Sequence, residues 1–404
     1  MRGNNYAIVV LRTAIIVPTF IIGCLSIVYT QFVSIFFFKN QPASLQSLIN
    51  ITKTHFVLLL VFVTNVIQSI KIQITLEKSS IPNFQSFYID QGNNLHSLFL
   101  PNSILISNHQ IYTDWLFLWF LTYTSKMSNS VYIILKDLSK IPVLGYGMKN
   151  YKFLFLSRKW QEDKIILTNQ LLEIDANARG VGPANGVKLI SGGNEIKKWP
   201  KGENSNQIWP FELILFPEGT VPSDRTTKKS AEFLKAKGRP ELKHVLSPRI
   251  RGLFLALKKL KNSVEMVYDI TTAYSNLKEG EYGEIKFSLK EFYLKGNGPP
   301  VVNYYIKGYR IDEIPLGLET DDIDNVPQDE LDEFENWLLK VWYEKDQLMD
   351  NFYKFGSWNQ KEDTKTIIGD FKLRKNYEFI MPFSFVIITF LIIRVIYIFI
   401  KRFI

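Results

Sequence analysis

His109 and Asp114, in the stretch Asn108-His109-X4-Asp114, are the side chains best suited by type and spacing to handle a proton. A carboxylate within reach of an imidazole fixes its tautomer and offsets the charge it gains, which makes the imidazole a general base. No serine or cysteine is evident as a nucleophilic partner for it, so such a base would act on a substrate hydroxyl directly. Asp114 has a second reading, since an Asp at a helix start also accepts bonds from the free N–H groups of the first turn. Two further sets carry complementary chemistry. Arg158, after Phe153-Leu-Phe-Leu-Ser157, has the planar fork that holds a phosphate by paired hydrogen bonds. Glu218-Gly219-Thr220 offers a carboxylate to substrate hydroxyls, a backbone N–H that a missing side chain leaves approachable, and one hydroxyl. The same three residues also suit a plain tight turn.

The elements that must position these groups can be read from periodicity. Ile104–Ile106 is a short apolar strand running into a polar turn at Ser107-Asn108-His109, and a helix opens at Asp114. Val131–Leu135, Phe153–Leu156, Phe211–Phe216 and Val264–Tyr268 read as further strands, with strand-like pieces at Glu284–Leu289 and Val302–Tyr309. Helical spacing marks Asp163–Ala178, Leu253–Leu260 and Asp329–Phe355. Strands alternating with helices imply an α/β fold: a central mixed sheet covered by helices. His109, Arg158 and Glu218 then each follow a strand, where open α/β sheets form their sites.

The ends of the chain differ from its middle. No charge occurs from Thr13 to Phe38, long enough to cross a bilayer, and bulky Phe36-Phe37-Phe38 is unlike a signal cleavage site. His55–Ile70 is uncharged but shorter and interrupted by Thr64, Asn65 and Gln68; it suits a span, half of a hairpin or an interfacial helix. Phe379–Ile400 is apolar except for Arg394, which can snorkel. These runs bound an N-terminal membrane-anchoring region at 1–80, a catalytic domain at 81–327 and an amphipathic helical region at 328–370. A C-terminal transmembrane segment at 371–404 completes the division. Residues 180–210, rich in Gly, Asn, Lys and Pro, read as a surface-loop insertion without chemistry.

The formal net charge of +9 suits a partner bearing phosphates. The basic run that includes Lys228 and Arg249 lacks interleaved aromatics, so nucleic acid is excluded as the partner. One cysteine, Cys24, rules out an intramolecular disulfide, and four histidines argue against a multi-histidine metal site. A non-enzymatic protein binding anionic lipid would explain the charge and the anchors, but not the placement of His109, Arg158 and Glu218.

Taken together, Asn108-His109-X4-Asp114, Phe153-Leu-Phe-Leu-Ser-Arg158 with Trp160 and Asp163, and Leu215-Phe-Pro-Glu-Gly-Thr220 resemble successive motifs of the glycerolipid acyltransferases. The branch of 1-acylglycerol-3-phosphate, lysocardiolipin and fungal lysophosphatidylinositol acyltransferases is the nearest in likeness. Val245-Leu-Ser-Pro-Arg249 with Gly252, and Trp337-X7-Lys345-Asp-Gln-Leu348, resemble later phrases of that branch. The resemblance implies a membrane acyl-CoA:lysophospholipid O-acyltransferase, with acyl-CoA as co-substrate and neither a bound cofactor nor a metal. It makes His109 the base that deprotonates a glycerol hydroxyl and Asp114 its orienting partner. Arg158, Glu218, Gly219 and Thr220 would bind the glycerol phosphate, and Arg249 and Lys228 further phosphates. Lysophosphatidylinositol is the expected acceptor, with lysophosphatidate and lysocardiolipin as alternatives; a transacylase using a phospholipid donor is another. The expected compartment is the endoplasmic reticulum membrane, with more than one pass. Two departures stand out. The insertion separates the second and third motifs, and the fourth-motif strand, Val264–Thr272, lacks the usual proline, so no role is carried onto it.

Overall fold

A computed structural model describes residues 6–136, 139–156, 159–191, 197–204, 208–318, 326–358 and 362–403. Its centre is an eight-stranded sheet. The strands are β1 (Lys71–Glu77), β2 (Ser103–Ser107), β3 (Val131–Lys136), β4 (Leu154–Leu156), β5 (Glu212–Leu215), β6 (Met266–Tyr274), β7 (Val301–Arg310) and β8 (Thr364–Asp370). They lie in the order β8-β1-β7-β6-β2-β5-β3-β4. From β6 through β4 all neighbours are parallel, whereas β7 is antiparallel to β6 and β8 to β1. The C-terminal ends of β2, β5 and β6 therefore emerge side by side.

Both faces of the sheet are covered, which is why its central strands read as near-continuous apolar runs. Successive side chains still alternate: Leu105 enters one core and its neighbours Ile104 and Ile106 the other. The first core is packed by α1 (Tyr6–Phe38), α2 (Pro42–Ile67) and α3 (Asp114–Thr124), the second by α5 (Trp160–Ala178), α7 (Ile250–Leu260) and α8 (Gln328–Phe355). A short α4 (Leu144–Asn150) packs on α1, and α6 (Asp224–Ala236) carries the first part of the basic run, including Lys228. The C-terminal α9 (Ser384–Phe403) shows exposed apolar residues along its length.

Among the described residues, three helices are long and apolar enough to cross a membrane: Ile8–Phe38, Pro42–Ile67 and Asn376–Arg402. The middle one differs from the other two. It starts well before the uncharged run, has most of its apolar stretch buried, and carries Lys53 fully buried, with Nζ 3.0 Å from the Val131 carbonyl oxygen. Thr52 beside it accepts from Gln31 of α1 and, through its carbonyl, from Tyr151. Alpha-2 thus supplies one wall of the sheet's core.

Several expectations are revised. Beta-1 and β8 lie on either side of the 81–327 segment in sequence, yet β8 pairs with β1 and β1 with β7, so the sheet draws strands from both sides of it. The strand expected at Glu284–Leu289 is instead a helical turn, Gly283–Lys286, with Phe287 buried and Ile285 and Leu289 exposed. Its alternation had the right period, but β7 already has β6 and β1 on its two edges. Within 180–210 the described residues form a 3-10 turn at Pro183–Asn185, packed on α2 and α5, and a short pairing of Ile190–Ser191 with Lys197–Lys198.

Helix α8 is bound to the sheet by a buried ion pair. Lys345 Nζ reaches Asp269 Oδ1 at 2.7 Å, with the Ile270 carbonyl oxygen at 2.9 Å and Thr271 Oγ1 at 3.2 Å. Burial raises the Asp269 pKa even with this partner present. Removing one member of a buried pair costs about 3–5 kcal/mol. Lys345→Met is therefore expected to lower the midpoint of thermal unfolding in detergent, with Asp269→Asn restoring part of the loss. An unchanged midpoint in the single variant would show that α8 is held by its apolar stripe alone.

Candidate active site

Ser107 ends β2, and Asn108 turns the chain away from it. Asn108 is buried and clamps β6: its Nδ2 donates to the Thr272 carbonyl at 2.9 Å and its Oδ1 accepts from the Thr272 N–H at 2.7 Å. Ser107 Oγ and Thr272 Oγ1 are 2.8 Å apart beside it. The chain then folds back over the start of α3, where Asp114 is 1% exposed. Asp114 Oδ2 accepts from the backbone N–H of Gln110 at 2.6 Å and of Ile111 at 3.0 Å, and lies 2.7 Å from His109 Nδ1. Tyr274, at the end of β6, donates its hydroxyl to Asp114 Oδ1. The N–H groups that Asp114 bonds belong to the loop before α3 and not to its first turn, so the capping reading is not met; the oxygen that holds this loop is the one that faces His109.

His109 is partly exposed and lies on Phe216, with ring centroids 4.5 Å apart and planes at 24°. The bond to Asp114 places the proton on Nδ1, which leaves Nε2 as the nitrogen able to accept one. Such a pair can take a proton from a hydroxyl and hold the resulting imidazolium.

The turn after β5 meets this loop, but Glu218 does not face outward. It is 2% exposed; its Oε2 accepts from the His109 N–H at 3.2 Å and its Oε1 from the Trp342 indole at 3.3 Å. The carboxylate expected to meet substrate hydroxyls braces the His109 backbone against α8. The Gly219 N–H, expected to be approachable, donates to the Phe216 carbonyl at 2.9 Å within the turn. Gly219 has φ +68°, where a side chain is strained, and an added Cβ would come 3.3 Å from Arg249 Nε. Thr220 is half-buried beside it. The structure thus brings Arg249 over the Gly219 turn, exposed and without an ion-pair partner among the described residues. Lys228 is exposed on α6. Arg158 lies outside the described residues, though Trp160 just beyond it faces the Arg251 guanidinium at 5.8 Å.

Helix α8 also holds the segment leading to Arg249. Asp346 accepts from the backbone N–H groups of Lys243, His244 and Val245 at 3.1, 2.7 and 3.2 Å. His244, Glu279 and Asp350 bring ligand atoms within 4.8 Å of one another, and Asp350 already bonds both Lys354 and His244.

Phe216, Thr272, Tyr274 and Trp342 were not singled out by sequence reasoning. Thr272 ends the fourth-motif strand to which no role was assigned, and Tyr274 lies just beyond it. Trp342 falls within the helical spacing of Asp329–Phe355.

A mixed α/β sheet with an imidazole–carboxylate pair at the ends of its parallel strands defines the class of site. Family comparison is more specific. An acyltransferase model matches residues 89–245 and an acyltransferase C-terminus model residues 318–381. The chain is 40% identical over 361 residues to the Saccharomyces cerevisiae 2-acyl-1-lysophosphatidylinositol acyltransferase, covering 87% of each. It is 29% identical to the Caenorhabditis elegans lysophosphatidylinositol acyltransferase 10, over 62% of this chain and 53% of that protein. Lysocardiolipin acyltransferase 1 of Gallus gallus is 27% identical, over 64% and 56%. The chain belongs to the acyltransferase family and is an acyltransferase.

Burial pushes the Glu218 pKa up from 4.5 to about 8, against the bonds from His109 and Trp342 that favour its charged form. Between those values the folded state binds a proton that the unfolded state has released, so stability falls as pH rises. Thermal midpoints measured from pH 5 to 8.5 are expected to decline in the wild type and to decline less in Glu218→Gln. Glu212, raised to about 8 by burial as well, keeps part of the slope. Equal slopes in the two proteins would show that Glu218 is ionised throughout.

Proposed function

We propose that the protein is a membrane-bound acyl-CoA:lysophospholipid O-acyltransferase whose acceptor is lysophosphatidylinositol. The observation that carries the reaction is the His109–Asp114 pair, with Nδ1 engaged at 2.7 Å and Nε2 left to accept a proton. The acceptor class is supported by the likeness to proteins named for lysophosphatidylinositol. His109 Nε2 takes the proton of the free glycerol hydroxyl as that oxygen attacks the thioester carbonyl of acyl-CoA. The C–O ester bond forms, the C–S bond breaks, and the departing thiolate recovers the proton from the imidazolium.

Arg158, Thr220 and Gly219 are the proposed contacts of the glycerol phosphate, with Arg249 and Lys228 for phosphates of the headgroup or of coenzyme A. Glu218 is reassigned from contact to support, because its carboxylate is engaged by His109 and Trp342. Both substrates carry long acyl chains. A membrane-held site spares each chain extraction into water, at about 0.8 kcal/mol per CH2. The apolar helices at both ends of the chain suit that need, and the endoplasmic reticulum membrane is the proposed location.

The test is an acceptor screen on microsomes from an overexpressing strain, using labelled oleoyl- and stearoyl-CoA. Transfer to lysophosphatidylinositol is expected to exceed that to lysophosphatidate and other lysophospholipids. His109→Ala should lower it by about 10²-fold or more while remaining membrane-bound. Normal turnover in that variant overturns the mechanism, and preference for another lysophospholipid overturns the acceptor. Transfer that requires a phospholipid donor in place of acyl-CoA makes the protein a transacylase.

A further inference from the structure

The end of β6 does more than complete the sheet. Thr272 is the residue that Asn108 clamps on both its N–H and its carbonyl, so β6 holds the start of the His109 loop. Two residues further along the same strand, Tyr274 reaches the other end of that loop at Asp114. Its ring is buried between Phe117 of α3, with centroids 6.1 Å apart, and Phe287, at 6.0 Å. Its hydroxyl therefore arrives from a direction fixed by packing.

Asp114 needs such a partner. Oδ2 already accepts from Gln110, Ile111 and His109, whereas Tyr274 is the donor that reaches Oδ1 among the described residues. Without it one oxygen of a 1% exposed carboxylate would be unsatisfied, and rotation of the group would carry Oδ2 off the His109 axis. We infer that Tyr274 is a positioning residue for the His109–Asp114 pair: its hydroxyl orients the Asp114 carboxylate and withdraws enough of its charge to set the pH at which His109 can accept a proton.

The other titratable and charged groups around the pair do not supply this bond. Tyr304 of β7 is fully buried and feels the charge of Asp114, but its hydroxyl has no hydrogen-bond partner among the described residues. Glu218 approaches from the β5 turn and binds the His109 backbone, and Lys345 of α8 acts on Glu218. Glu284 is engaged by Tyr112.

The inference rests on His109 being the base, and the test separates the two claims. Full-length wild type, His109→Ala, Tyr274→Phe and Tyr304→Phe are reconstituted in vesicles and assayed from pH 5 to 9 with oleoyl-CoA and the acceptor preferred by the wild type. A hydrogen bond to a charged group is worth about 1.5–3 kcal/mol, so kcat of Tyr274→Phe is expected to fall about 10-fold or more, with KM within about twofold. The acid limb of its kcat/KM profile should move to higher pH, because an unshared Asp114 charge holds the imidazolium proton harder. Tyr304→Phe, which loses a buried hydroxyl without a bond to Asp114, should keep the wild-type limb. Difluorotyrosine at 274, a stronger donor on the same ring, should move the limb to lower pH.

An equal loss at every pH, or an unmoved limb in both the Phe and difluorotyrosine proteins, overturns the inference even when His109→Ala is inactive. Turnover by His109→Ala overturns the base itself.

Discussion

A single carboxylate, that of Asp114, is taken out of water at the head of α3, and its requirements shape everything around it. An ionised group at 1% exposure is tolerated only where donors replace its hydration. Two donors are local amides, which forces residues 108–111 to fold back over the helix start. A third is the His109 ring, so the same folding presents the imidazole at the mouth of the sheet. The fourth comes from the far side of the sequence, on β6. The loop is therefore not a flexible segment carrying a histidine; satisfying a buried charge gives it one conformation.

The parallel run of strands makes this economical. Because β2, β5 and β6 end side by side, residues near 109, 218 and 274 meet without long connections reaching inward. Helix α8 then closes the arrangement from one side. Trp342 holds Glu218, Lys345 holds β6 through Asp269, and Asp346 holds the segment before Arg249. One face of one helix thus supports three parts of the site, and each of its contacts is a hydrogen bond to a group that is buried or a backbone amide. On the other face of the sheet, α2 forms a wall of the core and α1 packs along it, so apolar helices and the proposed catalytic loop share one hydrophobic core.

Much of this was legible in the chain. A carboxylate at a helix start beside a histidine is a local arrangement, and local hydrogen bonds depend on spacing that the sequence displays. The central strands were visible as apolar runs because both faces of the sheet are buried, and α8 as a stripe at helical period. Gly219 could be marked as a turn residue, since its left-handed backbone is a property of the residue itself.

Direction, and partnership between residues far apart in sequence, were set by the packing of the whole chain. Glu218 follows a strand in a turn, and nothing local distinguishes a carboxylate pointing to solvent from one turned toward a tryptophan on α8. Tyr274 reads as an ordinary strand aromatic until β6 is placed beside β2. The segment Glu284–Leu289 alternates like a strand, but β7, the next strand along the chain, already has β6 and β1 on its two edges. Beta-1 and β8 lie outside the expected catalytic segment because pairing follows edge availability, not sequence distance. Local chemistry determined which side chains could handle a proton; long-range packing determined which of them are held, and by what.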